Sequence, residues 1–432
     1  MMSLSLLSCL LILLNLWSIP VNSTASSSSS KPATDSSVEI AAYYYPWYDG
    51  NDNFHWDQGF LRSKLEIPQR PFLGRYTLED PATVDQHLEW ANEYGISQFI
   101  CSWWGPQNAN DYVLLHNLLR SPKLGRNFKI ALLYESLGLL DIFKAEDGSL
   151  HFDEQGKAYR TLLSHVEYMA QQYFSHPNYL KVHGGKPVVY FYVTRIFQGA
   201  YRQAFAKLRL TIQQDYGVDL YLVGDEVFWE GPDPSRITVW DAVTAYNMHG
   251  PPRYAGYPAV TNLFQDIENM YTQYQVVANA HNVTLLPGIS PAFNDRGVRL
   301  EANHYPIPHE VRAELAGTGQ YTTFWEGLQM AKRVLDNQQE VADAPCTIVV
   351  TSFNEWHEDS AIEPTVRYVP PSKKPDLLTM GYTYEAYGFR LLGMVQRFLN
   401  ETNNNREHGH DDEEKNTPSM QQQASGSLTS TV

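Results

Sequence analysis

Cysteine is nearly absent. The 432 residues hold three, and Cys9 lies in an apolar N-terminal segment, which leaves Cys101 and Cys346. These are too few for a disulfide framework or a cysteine-based zinc site. The strand assignments below put them at opposite ends of a parallel barrel, as two buried free thiols. Basic charge is also short: 32 Lys and Arg face 48 Asp and Glu, a formal net charge of -16. That argues against nucleic acid as a partner, because binding phosphate needs basic surface. No HxH or HExxH spacing falls at a strand end, so no metal and no cofactor are expected. The apolar run Leu4 to Trp17 is shorter than the roughly 20 residues that span a bilayer.

Aromatic residues are plentiful, with 10 Trp and 28 Tyr. Two readings fit: a ring-rich core, or a sugar-binding cleft in which rings stack on pyranose faces. The first 23 residues, "MMSLSLLSCLLILLNLWSIPVNS", read as a signal peptide cut after Ser23 or as an uncleaved type II signal anchor. The usual positive n-region is missing. Either reading sends the chain into the secretory pathway, to the outside or the Golgi lumen, with the membrane met only through that segment. The sequons Asn282-Val-Thr and Asn400-Glu-Thr agree with such a glycoprotein. Residues 24–38 are Ser-rich with nothing to bury and read as a disordered linker. Residues 401–432 read as a disordered acidic and polar tail, whose His408, His410, Asp411 and Asp412 are a solvated run rather than a metal site.

Between these ends, strand-like and helix-like segments alternate. Strands are read at 39–47, 97–104, 128–136, 186–194, 218–227, 242–250, 283–294 and 346–356. Amphipathic helices follow most of them, such as 83–95, closed by Gly95. The strands are continuous apolar runs rather than alternating ones, the pattern of a parallel sheet covered by helices. An open doubly wound sheet would usually carry a Gly-rich turn after its first strand, where this chain has "YYPWYDGND". The expected fold is therefore α/β, a (β/α)8 TIM barrel over 39–400 with enlarged loops at its C-terminal face. Chemistry in such barrels sits at the C-terminal ends of the strands, and those ends here collect the polar and aromatic groups.

The eighth end carries the sharpest signal, "TIVVTSFNEWHEDSAIEPT", Thr347 to Thr365. Glu355 and Glu358 stand three residues apart, directly after a buried-looking strand. Either this is a polar loop, with one Glu capping a helix or pairing with an Arg, or it is the carboxyl pair that breaks glycosidic bonds. Desolvation by Trp356 and His357 is expected to raise one proton affinity and leave the other low, separating acid from base.

These residues also carry a family resemblance. "SFNEWHE" followed by "IE" resembles the signature of glycoside hydrolase family 99, the endo-α-mannosidases and endo-α-mannanases. "YYYPWY" with "HWD", "DPATVDQHLEWANEYGISQFICSWW", "PVVYFY" and "PGISPAFNDRGVR" resemble the family's other blocks, in order, over roughly residues 40–400. The resemblance implies a retaining, endo-acting α-mannosidase, working on internal α-mannosidic bonds, expected to be α-1,2, in N-glycans or mannan; a monomer is expected. Glu355 would act as base on the 2-hydroxyl of the sugar, forming a 1,2-anhydro intermediate, and Glu358 as acid on the leaving oxygen. It further implies Tyr45, Trp47, His55, Trp56, Trp103, Trp104 and Tyr246 as substrate-binding residues, with Asn354 orienting Glu355. Glu363 matches a family position of either functional or structural meaning. The chain departs from the family in having Asp359-Ser360-Ala361 where Gly-Thr-Gln is common, which puts the positive subsites in question. The alternatives are a carbohydrate-binding barrel without catalysis, and an endo-glycosidase for another α-linked polysaccharide.

Overall fold

The computed structural model describes residues 37–49, 54–58, 64, 70–246, 248, 257–300, 304–310, 322–338, 346–366, 377–382, 384 and 386–415. The segments read as leader and linker thus lie outside the described residues, apart from Ser37 and Val38. Nine parallel strands form the centre: β1 (Glu39–Tyr44), β2 (Gln98–Trp103), β3 (Lys129–Tyr134), β4 (Lys186–Phe191), β5 (Tyr221–Asp225), β6 (Ala242–Thr244), β7 (Thr284–Leu286), β8 (Gly288–Ile289) and β9 (Thr347–Val350). Their order is β7-β6-β5-β4-β3-β2-β1-β9-β8.

The strand read at 283–294 is the one the sequence placed correctly but drew too simply. It is two pieces, β7 and β8, divided at Pro287. The first pairs with β6, Thr284 opposite Ala242, and the second with β9, Gly288 opposite Val349. Proline has no N–H to give a ladder, but its carbonyl still accepts from the Val349 amide at 3.0 Å. One interrupted strand therefore links both ends of the sheet and nearly closes the barrel. Gly288 is required at the break: a Cβ there would lie 1.9 Å from the Ala245 carbonyl oxygen.

Buried runs explain the rest. β1 reads EIAAYY with every residue after Glu39 buried, and β2 is buried throughout, because helices cover the outer surface. These are α1 (Pro81–Tyr94), α2 (Lys157–Gln172), α3 (Tyr201–Tyr216), α4 (Tyr257–Ala280), α5 (Thr323–Asp336) and α6 (Arg390–Lys415). α1 starts with Asp80 accepting from the Ala82 amide, has Pro81 in its first turn, and stops at Gly95 with φ 88°, a left-handed position that suits glycine. Only short helical segments cross from β2 to β3 (Ala109–Tyr112, then a π-turn Val113–Leu118) and from β5 to β6 (Pro234–Ile237).

Two expectations are corrected. α6 continues through Lys415, well past residue 401, where a disordered tail was expected to begin. Its first half is anchored by buried Leu391, Val395 and Phe398, and extending an established helix fixes only one residue per added bond. Cys101 is buried as expected, but Cys346 is only half-buried, since it precedes β9 at the rim. Among the described residues no helix is long and apolar enough to cross a membrane.

Candidate active site

Every residue from Thr347 to Thr365 is buried. A solvated polar loop would not be, so the groups in it must find partners inside the protein. The chain does this by folding the loop back on itself and on β1. The Phe353 amide donates to the Tyr43 carbonyl at 2.7 Å, and the Ser352 amide to the Ser360 carbonyl at 2.7 Å. The Trp356 amide donates to the Tyr48 hydroxyl at 3.0 Å. Asn354 spends its amide on Tyr45, accepting from its N–H at 2.7 Å and donating to its carbonyl at 2.9 Å. It therefore fixes the loop to the first strand end and does not orient Glu355, as had been expected.

The two glutamates emerge from this loop into a cleft of about 670 Å³ at the C-terminal ends of the strands. That lies within the roughly 300–1,000 Å³ usual for small-molecule sites. Glu355 and Glu358 both line it, with only 2% and 8% of their surfaces exposed. The Glu355 amide donates to Ser352 Oγ at 2.6 Å, and Glu355 Oε1 accepts from the His357 amide at 2.8 Å. Glu358 Oε1 accepts from Arg299 Nη1 at 3.0 Å, and its Oε2 lies 3.5 Å from the Tyr246 hydroxyl, which is itself hydrogen-bonded to the Tyr45 hydroxyl.

Burial pushes the Glu355 carboxyl well above the usual range, and the neighbouring Glu358 charge pushes it further. Burial also raises Glu358, but the Arg299 guanidinium works against that. The guanidinium touches Glu358 and not Glu355, so both carboxyls are held above the usual range and Glu355 is held the higher. The expectation of one raised and one low carboxyl is corrected: burial raises both, one arginine makes the rise smaller at Glu358, and Trp356 has no part in it, its ring fully buried with Nε1 donating to Glu363.

Of the other residues singled out from the sequence, Tyr45, Trp47, His55, Trp104 and Tyr246 line the cleft with the glutamates. His55 and His357 stack in parallel, 4.7 Å apart, and His357 Nε2 donates to the His55 carbonyl at 3.2 Å. Burial lowers both, His55 to about 4 and His357 to about 3, so this wall is neutral near pH 7.

Trp56 and Trp103 do not reach the cleft. Trp56 is buried against Tyr48 and Tyr76, donating to the Tyr76 carbonyl at 3.1 Å. Trp103 is buried with its Nε1 on Asp111 at 2.9 Å. Neighbours in a strand point to opposite faces. With Trp104 in the cleft, Trp103 therefore faces the helices.

The structure adds groups to which sequence reading gave no role in the site, although Glu135 and Tyr192 were read at strand ends. Glu135, just past β3, lines the cleft, is 5% exposed and is pushed up to about 8 by burial. Ser102 Oγ donates to it at 2.6 Å and accepts from Trp104 Nε1 at 2.9 Å. Near neutral pH it carries a proton for much of the time and can donate a hydrogen bond to a sugar hydroxyl. Its place at a strand end was the available signal. Arg299 and Tyr192 also line the cleft. Among the described residues, no three His, Cys, Asp or Glu side chains are grouped to hold a metal ion.

Comparison with known proteins agrees with this architecture. The human glycoprotein endo-alpha-1,2-mannosidase-like protein is 22% identical over 387 residues, covering 80% of this chain and 71% of its own length. The rat glycoprotein endo-alpha-1,2-mannosidase is 22% identical over 373 residues, 76% of this chain and 68% of its own. The solved GH99 endo-alpha-mannosidase of Bacteroides thetaiotaomicron superposes with a TM-score of 0.56 at 19% identity, covering 85% of this chain and 98% of that one. A solved glycoside hydrolase-like protein gives 0.60 at 18% identity, covering 84% and 94%. The resemblance carried by "SFNEWHE" is thereby borne out, and with it the reading of the chain as an enzyme acting on glycosidic bonds. The family described as glycosyltransferase WbsX matches residues 64–370, and the chain belongs to that family, on a barrel shared with family 99 glycoside hydrolases.

Proposed function

We propose that the protein is a retaining endo-α-mannosidase that cuts internal bonds, α-1,2 bonds first among them, in N-glycans or mannan. The observation that carries this reading is the buried pair Glu355 and Glu358, set on one loop and lining one cleft with the aromatic rings of Tyr45, Trp47 and Trp104. In the first step Glu355 takes the proton of the 2-hydroxyl. That oxygen attacks its own anomeric carbon, the bond to the leaving oxygen breaks, and Glu358 gives that oxygen a proton. The axial O2 of α-mannose lies trans to the leaving group, so the attack needs little distortion. In the second step Glu358 takes a proton from water, the hydroxide opens the anhydro ring at the anomeric carbon, and Glu355 returns its proton to O2. Two inversions give retention.

The mammalian relatives are named as glycoprotein mannosidases, which supports a place in the secretory pathway. There the chain would act as a monomer, with its N-terminal segment as leader or anchor. A second reading rests on the family description as a glycosyltransferase: a sugar hydroxyl in place of water would open the same intermediate and lengthen a chain.

The experiment is to incubate wild type, Glu355→Gln and Glu358→Gln with a labelled glucosylated high-mannose glycan and with yeast-type mannan, and to size the products. Either amide should lower kcat by at least ~100-fold while oligomannoside binding persists. Wild type should release a disaccharide or larger unit. Free mannose alone contradicts internal cleavage, products longer than the substrate favour transfer, and full turnover in both variants removes the pair from the chemistry.

A further inference from the structure

We propose that Arg299 is a positioning residue with two seats, Glu358 and Asp295, and that its move from the first to the second shifts the preferred protonation site from Glu355 to Glu358. This rests on the mannosidase reading above, because it concerns which glutamate is acid when the bond breaks.

One nitrogen serves both seats in the structure. Arg299 Nη1 lies 3.0 Å from Glu358 Oε1 and 3.1 Å from Asp295 Oδ2. The arginine side chain is 49% exposed while the Asp295 side chain is 1% exposed, so the cation can turn and the carboxylate cannot. Asp295 is also only half satisfied. Its Oδ2 meets His304 Nδ1 at 2.6 Å, but its Oδ1 has no hydrogen-bond partner among the described residues. A buried carboxylate oxygen without a donor is costly, and a guanidinium fork is built to fill two such oxygens at once. The backbone around both seats is fixed. The Arg299 amide donates to the Asp295 carbonyl at 2.8 Å, and the Asn294 amide to the Glu358 carbonyl at 2.6 Å. The change is therefore one of side-chain rotamer.

The consequence follows from the remaining donors. With Arg299 on Glu358, the anion is favoured on Glu358 and the proton on Glu355, the reverse of what the first step needs. With Arg299 on Asp295, Glu355 still accepts from the His357 amide at 2.8 Å, while Glu358 keeps only the distant Tyr246 hydroxyl. The anion is then better placed on Glu355. The O–H bond on Glu355 breaks as the one on Glu358 forms, and the pair becomes base and acid in the order the reaction uses. Glu135, His55 and His357 also face the pair and are common to every variant below.

The test compares wild type, Arg299→Gln, Asp295→Asn and the double variant. Two readouts are taken: the pH profile of kcat/KM on an oligomannoside, and a carbon-13 titration of the glutamate carboxyls in the free protein. Arg299→Gln should move the acid limb, and the Glu358 titration, upward by roughly 1–3 pH units. Asp295→Asn, which removes the second seat, should not move them upward. It should lower kcat by ~10–100-fold with KM little changed. The double variant should recover most of that kcat, because no guanidinium remains to be reseated; a structural role would give additive losses instead. Limbs that move together, or a double variant no better than Asp295→Asn, overturn the proposal. If Asp295→Asn does not fold, an unmoved Glu358 titration in Arg299→Gln overturns it alone. A wild type that cleaves no mannoside sinks the mannosidase reading, and the carboxyl titration, which needs no turnover, still decides this one.

Discussion

Trp356, which stands between the two glutamates in sequence, donates its indole N–H to Glu363 Oε2 at 2.9 Å. The same carboxylate accepts from the Tyr76 hydroxyl at 2.7 Å and lies 3.3 Å from His87 Nε2, with neither His87 nor Glu363 exposing any side-chain surface. His87 in turn meets the Tyr44 hydroxyl at 3.1 Å. The loop that carries the chemistry is thus held from below by a buried acid, seven residues on, that ties it to α1 and β1.

Glu363→Ala should therefore destabilise the protein by about 3–5 kcal/mol, the usual result of removing one member of a buried, hydrogen-bonded pair. Glu363→Gln keeps an acceptor for Trp356 and Tyr76 and should cost only about 1–2 kcal/mol. Urea unfolding at pH 7 measures both. Equal losses in the two variants would mean that neither the retained acceptor nor the retained packing matters, and that the carboxylate itself holds the loop.

Glu135 gives a prediction of opposite sign. Its folded-state affinity is pushed up to about 8 from 4.5, so the folded protein binds a proton that the unfolded chain releases above pH 4.5. Folding is penalised increasingly from pH 4.5 to 8 and not at all below that window. Glu135→Gln retains the acceptor for Ser102 and should be more stable than wild type at pH 8, by about 2–4 kcal/mol at one pKa unit per 1.36 kcal/mol. The advantage should vanish at pH 4.5. Melting temperatures of both proteins across that range test it, and a gain that does not depend on pH would place the cause in packing.

Much of this arrangement was legible because a parallel barrel writes its strands as apolar runs and its chemistry at their ends. The pair Glu355 and Glu358 could be read for that reason. Local parity fixed less: alternation along β2 allowed only one of Trp103 and Trp104 into the cleft, without saying which. Pro287 and Gly288 were visible as residues, but the division of one strand between two neighbours depends on the approach of Ala245, which no window of sequence contains. Asn354 was misread because its partner, the Tyr45 backbone, is 309 positions away. Arg299 belonged to a recognised block, yet its ion pair with Glu358 spans 59 residues. Asp359 sits at φ 52°, a left-handed position that Asp tolerates and that no local sequence pattern announces.

The histidine wall makes the site sensitive to acid. Burial holds His357 at about 3, against roughly 6.5 in an unfolded chain. Between those values the unfolded chain binds a proton that the folded protein refuses, so stability is complete above pH 6.5 and falls as pH drops below it. His55, lowered to about 4 but less enclosed, adds a smaller loss in the same direction. The raised carboxyls act the other way, because acid relieves their penalty, and a plain stability curve would blend the two. Comparing wild type with His357→Phe separates them: the ring stack on His55 is kept and the titrating group removed. The variant loses the hydrogen bond to the His55 carbonyl, a cost of about 1 kcal/mol that does not vary with pH. On top of this, wild type should weaken relative to the variant by about 2–3 kcal/mol between pH 7.5 and 4.5. If the difference between the two proteins stays constant over that interval, His357 takes up its proton in the folded state as easily as in the unfolded one, and the stack is not a neutral wall.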